Sequence, residues 1–244
     1  MTRRKVLWLI TARSGSKSIP DKNIKRLGGV PLLAYRVTSA LAIAAPEDVW
    51  VSTNSRRYAK IAESFGAQAP FLRPKHLSSD RAKSSDAVFH AMRHAASLGR
   101  KYDAIGLLEP TSPFVTSAHL LEAVDRLFED KKAQGIVAVH AVRPSTFYVQ
   151  PDARYLSRIA RRMRKKGELR RQDERSEITP SGGFYISKWD FFWRRKTFYS
   201  ERTLAFHLSE TEGLEIDELI DWSWADFLIE RKLVSVHRRA GRIR

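Results

Sequence analysis

Apolar and polar positions fall in blocks along this chain. Val6-Leu7-Trp8-Leu9-Ile10 is an unbroken apolar run of strand length, and residues 49–52, 104–108 and 135–140 repeat the pattern. Between these runs, residues 31–44, 56–65, 84–98 and 117–130 place apolar residues at helical spacing. Pro31 stands in a first turn, Ser84 opens one helix, and Gly66 and Gly99 follow two helix ends. Short apolar strands that alternate with helices are buried on both faces, which predicts a mostly parallel, three-layer α/β sheet. The regularity fades after Pro144. Residues 146–179 are polar, basic and poor in apolar periodicity, and residues 144–180 are read as an insertion with short strands and a flexible loop of its own. Residues 182–186 resume the sheet, and the chain ends with a strand at 214–217 and a helix at 222–232. No repeat or low-complexity linker divides it, so residues 1–244 are read as one domain carrying that insertion.

Composition narrows the function classes. With 244 residues and 43% hydrophobic content, one well-buried core is expected. There is no cysteine, which excludes disulfides, a thiol nucleophile and cysteine-based metal sites. The basic start and short apolar run at the N-terminus are too brief for a signal peptide, and no run reaches the length of a membrane span. A soluble, cytoplasmic protein is expected. The net charge of +17 favours polyanionic partners. Much of it sits in residues 154–175 and in the tail from Arg231 to Arg244. Without interleaved aromatics or a helix-turn-helix pattern, these clusters are read as solvated faces and a basic tail. A nucleic-acid-binding module stays as the alternative class.

In an open parallel sheet, ligands bind beyond the carboxyl ends of the strands. The segment after the first strand, residues 10–23, is ITARSGSKSIPDKN: a small-residue loop carrying Arg13, Lys17 and Lys22. Such loops hold phosphate, because small residues let backbone N–H groups approach an anion and the cations neutralise it. The loop lacks GxxxxGK[ST] and GxGxxG, so neither a P-loop nor a dinucleotide fingerprint is present. Arg13 and Lys17 are candidates for the terminal phosphates of a nucleoside triphosphate. At the other end of the chain, Glu215 and Asp217 share one face of the expected strand and are either Mg²⁺ ligands or plain surface acids. Asp221 is read as a helix cap and Glu218 as solvated. His90 and His94, four apart on one helix, are read as a solvent-facing pair rather than a zinc site.

These residues resemble those of the acylneuraminate cytidylyltransferases, the CMP-sialic acid synthetases. Residues 12–23 match the family's ARxGSKGIPxKN, 27–35 its LGGKPLIAY and 51–54 its VSTD. Residues 107–113 match its LLQPTSP, 181–186 its NGAIYI and 215–221 its DIDTxxD. The segments Phe71-Leu72-Arg73-Pro74 and Leu77-Ser78-Ser79-Asp80 fall in order between them. The resemblance covers nearly the whole chain. It implies a nucleotide-diphospho-sugar transferase-like (Rossmann-like) α/β/α fold and transfer of CMP from CTP to the anomeric hydroxyl of a nonulosonic acid, with release of pyrophosphate. By motif position, Ala12, Arg13, Ser16, Lys17, Lys22, Asn23, Arg73 and Ser84 would hold the nucleotide. Arg13, Lys22 and Asp217 would serve catalysis, and Glu215 and Asp217 would hold Mg²⁺. Glu109, Thr111, Arg171, Ser181 and Tyr185 would line the sugar, with Arg171 facing its carboxylate. The insertion would make a homodimer and supply part of the partner's pocket. Four positions depart from the family: Glu109 for Gln, Ser181 for Asn, Lys83 for Ser and Glu215 for Asp. A carboxylate at 109 accepts hydrogen bonds and repels anions, which leaves the sugar open. Transfer to an eight-carbon acid of the 3-deoxy-manno-octulosonate type, or nucleotide binding without catalysis, are further readings.

Overall fold

A computed structural model describes residues 4–142, 154–166 and 177–235. The elements in chain order are β1 (Val6–Thr11), β2 (Arg26–Leu27), β3 (Val30–Pro31), α1 (Leu32–Leu41), β4 (Val49–Ser52), α2 (Arg56–Ser64), α3 (Ser84–Ser97), β5 (Ala104–Leu108), α4 (Ser117–Glu129), β6 (Gly135–Ala141), α5 (Ser157–Lys166), β7 (Ile178–Lys188), α6 (Trp189–Arg195), β8 (Thr203–Leu208) and α7 (Leu219–Glu230). Six strands form one sheet in the order β4-β1-β5-β7-β6-β8, and β2 and β3 form a separate small ribbon. β1 runs parallel to β4 and β5, and β6 parallel to β8; β7 is antiparallel to both of its neighbours. The expected mostly parallel α/β sheet is therefore present.

Successive side chains of a strand point to opposite faces, and here both faces are covered. Val6, Trp8 and Ile10 join α1, α2 and α4 in one core, while Leu7 and Leu9 join α3 and α6 in another. A third core packs Ile216, Trp222, Ala225 and Leu228 on Leu27, Leu32 and Tyr35. No helix among the described residues is long and apolar enough to cross a membrane.

The structure corrects the sequence reading in four places. Residues 214–217 are not a strand; the segment crosses the end of β5, with Ile216 buried and its N–H donating to Thr111 O at 2.8 Å. The last strand is β8 instead, an edge strand whose short polar-apolar alternation gave a weak signal. α6 was also missed, since its aromatic run Trp189-Asp190-Phe191-Phe192-Trp193 favours helix only weakly. In the stretch 144–180, read as short strands, residues 157–166 are helical instead: α5 is rich in Arg, Lys, Ala and Met with no Gly or Pro to interrupt it, while residues 178–180 belong to β7. His90 and His94 are half-buried rather than solvent-facing, with ring centroids 4.6 and 5.1 Å from Phe71.

One irregularity positions the site. Val137 pairs with Tyr185 and Val139 with Pro180, so a single residue of β6 stands opposite residues 181–184 of β7. A bulge of this kind re-aims the strand locally. It carries Ser181-Gly182-Gly183 over the carboxyl end of β5.

Candidate active site

A cavity of about 440 Å³ opens at the carboxyl ends of β1 and β5. Its two ends have opposite charge. One end is built from the loop after β1. Gly15 has φ 84°, a left-handed conformation that favours glycine, and it lets the loop reverse between Arg13 and Lys17. The loop is fastened from several sides: Asn54 Oδ1 accepts from Ser14 N at 2.9 Å, Asn23 Nδ2 donates to Arg13 O at 3.0 Å, and Ser18 Oγ donates to Asp217 O at 2.6 Å. Asn23 thus shapes the loop through its backbone. Ala12 is fully buried, and its N–H donates to Ser52 O at 3.0 Å, so it anchors the loop to β4.

Arg13, Ser16, Lys17, Arg73 and Ser84 line this end of the cavity. Arg13 Nη1 lies 2.8 Å and Lys17 Nζ 2.7 Å from the carboxylate of Asp80, which these hydrogen bonds hold below the usual carboxylate range. Asp80 carries no role in the sequence reading; nothing in the sequence tells that this one acid reaches the loop. Arg73 is 6% exposed, and its Nε and Nη2 have no hydrogen-bond partner. Burial, reinforced by the charge of Arg13, lowers its pKa to about 10. A buried guanidinium with unpaired donors is costly unless an anion meets it. α3 begins beside it with Lys83 as its cap residue, no side chain caps that helix start, and Lys83 and Ser84 both line the cavity. Phosphate suits such a helix start.

The other end is acidic and comes from three separate segments. Glu109 and Thr111 follow β5 and line the cavity; Asp217 lines it from the far end of the chain. Glu215 does not line it: its Oε1 accepts from Gly182 N–H in the bulge of β7. A Cβ on Gly182 would lie 2.9 Å from Glu109 Oε2, 2.9 Å from Ser112 Oγ and 3.2 Å from Glu215 Cδ, so only glycine lets these groups approach. Burial, then the charges of Glu215 and Asp217, push the Glu109 pKa up to about 7, with Lys22 opposing. Ser181 is fully buried and Tyr185 half-buried; neither lines the cavity, and the phenol of Tyr185 is pushed up by burial and by Glu109. Both therefore form the wall behind Glu109. Arg36, absent from the sequence reading, ties that wall together: fully buried, it donates to Val115 O at 2.6 Å and to Gly183 O at 3.1 Å. Arg171 lies outside the described residues.

Lys22 joins the two ends. Its Nζ lies 2.8 Å from Ile216 O and 3.1 Å from Asp217 Oδ1. The convergence of Glu215 and Asp217 on a strand face is thus replaced by two different engagements, Glu215 with Gly182 and Asp217 with Lys22. The donor set still fits a hard cation. Asp217 has 72% of its side chain exposed, and Glu215 engages Gly182 through Oε1 alone. Among the described residues no three His, Asp or Glu side chains form a metal-holding group. One or two carboxylates, with phosphate and water completing the shell, are a donor set that Mg²⁺ uses.

Comparison with known proteins agrees with this geometry. A family model described as cytidylyltransferase matches residues 7–216. The chain is 34% identical over 232 residues to the N-acylneuraminate cytidylyltransferase of Escherichia coli O18:K1:H7, covering 94% of this chain and 53% of that protein. It therefore spans about half the length of that relative. It is 29% identical over 237 residues to the CMP-N,N'-diacetyllegionaminic acid synthase of Legionella pneumophila, covering 93% of this chain and 97% of that one. The solved structure of a CMP:2-keto-3-deoxy-manno-octonic acid synthetase complexed with CTP superposes with a TM-score of 0.66 at 17% identity, covering 93% of this chain and 99% of that chain. At that identity the likeness shows a shared fold.

Proposed function

The chain belongs to the cytidylyltransferase family, and on that premise we propose that it transfers CMP from CTP to the anomeric hydroxyl of a nonulosonic acid. The polarity of the cavity carries this reading. A triphosphate is the anion that would satisfy Arg13, Lys17 and the unpaired donors of Arg73 together, and its acceptor then lies against the wall of Glu109 and Thr111. The relatives named for N-acylneuraminate and diacetyllegionaminic acid favour a nine-carbon acceptor over an eight-carbon one.

In the reaction the anomeric oxygen forms a new bond to the α-phosphorus. The bridging P–O bond between the α- and β-phosphates breaks, and pyrophosphate leaves with its electron pair while the hydroxyl proton passes to solvent. Little covalent work falls to the protein; it positions the two substrates and neutralises developing charge. Arg13 supplies two guanidinium donors to the phosphates, and Lys17 a point charge. Both must first let go of Asp80. Lys22 holds Asp217 in place while its ammonium stays at the cavity. Asp217 with Glu215 would hold Mg²⁺, which supplies charge neutralisation on the pyrophosphate. Residues 144–180 are proposed to make a homodimer and to complete the partner's acceptor pocket, with Arg171 on the sugar carboxylate. The cytoplasm is the proposed compartment.

The test is purified protein with CTP, Mg²⁺ and a panel of nonulosonic acids and the eight-carbon acid, read by mass spectrometry. A CMP-sugar and pyrophosphate are expected with the nine-carbon acids. Product only with the eight-carbon acid would overturn the acceptor class, and no product with any acid would overturn the reaction. Chelation by EDTA is expected to stop turnover, and light scattering to give twice the chain mass.

A further inference from the structure

Two apolar faces of this chain lie open, and they carry opposite charge. The first belongs to α7. Trp222, Ala225, Leu228 and Ile229 face the core, yet the outer side is apolar too: Leu219, Ile220, Trp224 and Phe227 are exposed, Ile220 by 71%. The rings of Trp224 and Phe227 stack with centroids 5.2 Å apart. A helix that is apolar all round belongs under cover. Between Glu218 and Glu230 the sequence holds four acids and no Lys or Arg. The second face belongs to the start of α5. Tyr155 and Leu156 precede the helix and are exposed, Tyr155 by 69%, and the Arg154 guanidinium lies over the Tyr155 ring at 5.3 Å. Arg161 and Arg164 are exposed on the helix itself. Between Arg154 and Lys166 there are seven Lys or Arg and no acid. Both faces are open in the same chain, so neither covers the other.

Topology brings the two faces to one edge of the sheet. β5 and β6 both run antiparallel to β7, so their carboxyl ends lie on the same side. α5 comes after β6 in the chain, and α7 follows the 214–217 segment across the end of β5. In a two-fold dimer, a contact from one surface to a second is repeated from the second to the first. A copy related by a two-fold axis beside this edge therefore covers both faces at once. Resting on the homodimer reading above, we propose that Tyr155, Leu156 and α5 of one copy dock on the outer face of α7 of the other, and reciprocally. Charge complementarity favours this pairing. α7 against α7 would set acid beside acid, and an anionic membrane or nucleic acid would meet the same acids. At about 200 Å² per large side chain, the exposed parts of these six apolar residues on two copies amount to on the order of 1,000 Å², the size at which specific interfaces begin. Asp221, in the first turn of α7, accepts from Asp217 N–H at 2.9 Å and Glu218 N–H at 2.8 Å. A copy seated on that turn stands beside the acidic end of the cavity.

The chain has no cysteine, so introduced cysteines report proximity without background. Leu156→Cys and Ile220→Cys chains are coexpressed with different affinity tags, and the doubly tagged protein is treated with a flexible bis-maleimide. A covalent dimer on a denaturing gel is expected when both variants are present and not with either one alone. Trp224→Ala removes an aromatic anchor from the centre of the face and is expected to raise the dimer dissociation constant by about thirtyfold in sedimentation velocity. Arg161→Glu should raise it less. A covalent dimer from Ile220→Cys alone would put α7 on α7 and overturn the proposal. An unchanged dissociation constant in Trp224→Ala overturns it too; if the melting temperature falls instead, α7 is covered by the chain's own tail. A dimer with neither the mixed cross-link nor the weakened Trp224→Ala association keeps the homodimer and removes this docking. A wild-type protein that stays monomeric in light scattering at every concentration defeats the homodimer reading itself, and the docking falls with it.

Discussion

The two ends of the cavity are made in different ways. The cationic end comes mainly from one contiguous loop, residues 12–18, braced by Asn54 and Asn23. The acidic end is assembled from residue 109, the bulge at 181–183 and residues 215–217, segments that meet only because β7 runs antiparallel between β5 and β6. The first end is held in place by local backbone geometry. The second depends on long-range packing, including Arg36 beneath it. Charge is balanced differently as well. Asp80 neutralises cations at the first end from a position open to solvent, whereas at the second end Glu215 and Asp217 add like charge to Glu109, whose burial already disfavours its anion.

Three measurements can break or sharpen this contrast. The largest effect is expected for Arg13→Ala. Removing one donor to a developing anion lowers turnover by about 10²–10³-fold. Because the Arg13 side chain is 37% exposed and its ion-pair partner Asp80 is open to solvent, the melting temperature should hardly move. Turnover within a factor of two of wild type would take Arg13 out of the chemistry.

The next effect concerns stability and pH. The Glu109 pKa rises from 4.5 unfolded to about 7 folded, so between those values the folded chain binds the extra proton. Stability therefore falls as pH rises through this window, and the contribution is complete below about pH 4.5. At 1.36 kcal/mol per pH unit, a shift of this size corresponds to about 3 kcal/mol at most. Urea melts in EDTA at pH 5 and pH 8 should show wild type losing stability with pH. Glu109→Gln should lose this part of the slope. Parallel slopes in the two proteins would mean that the acidic end is not a strained cluster.

The smallest effect is expected at Asp80. Its carboxylate is exposed, and exposed ion pairs contribute little. Asp80→Asn frees Arg13 and Lys17 for phosphate and should tighten CTP binding a few-fold by calorimetry, with almost no change in folding stability. Weaker CTP binding would show instead that Asp80 orders the loop for its ligand.

Most of the sheet was readable in the sequence. β1, β4 and β5 are compact apolar runs buried on both faces, and no tertiary detail is needed to see them. β8 and α6 were hidden because an edge strand and an aromatic one-turn-and-more helix lack strong periodicity. The 214–217 segment failed for a different reason: its alternation reflects one buried anchor, Ile216, between two acids that face polar partners, which imitates a strand without a ladder. At the site, Arg13, Ser16, Lys17, Ser84, Glu109 and Thr111 were named from sequence and do line one cavity. Ser181, Tyr185 and Glu215 were named too, but they stand behind it.

By itself the sequence determined the strand-and-helix order, the basic loop and hence the kind of anion it faces, because those follow from local periodicity and from residue types adjacent in the chain. Only the tertiary structure decided that Arg73 is buried with unpaired donors, that Asp80 holds the loop's cations, and that Glu109 sits among like charges. The reason is physical: a side chain's charge is written in the sequence, but its cost depends on burial and on neighbours brought from distant parts of the chain.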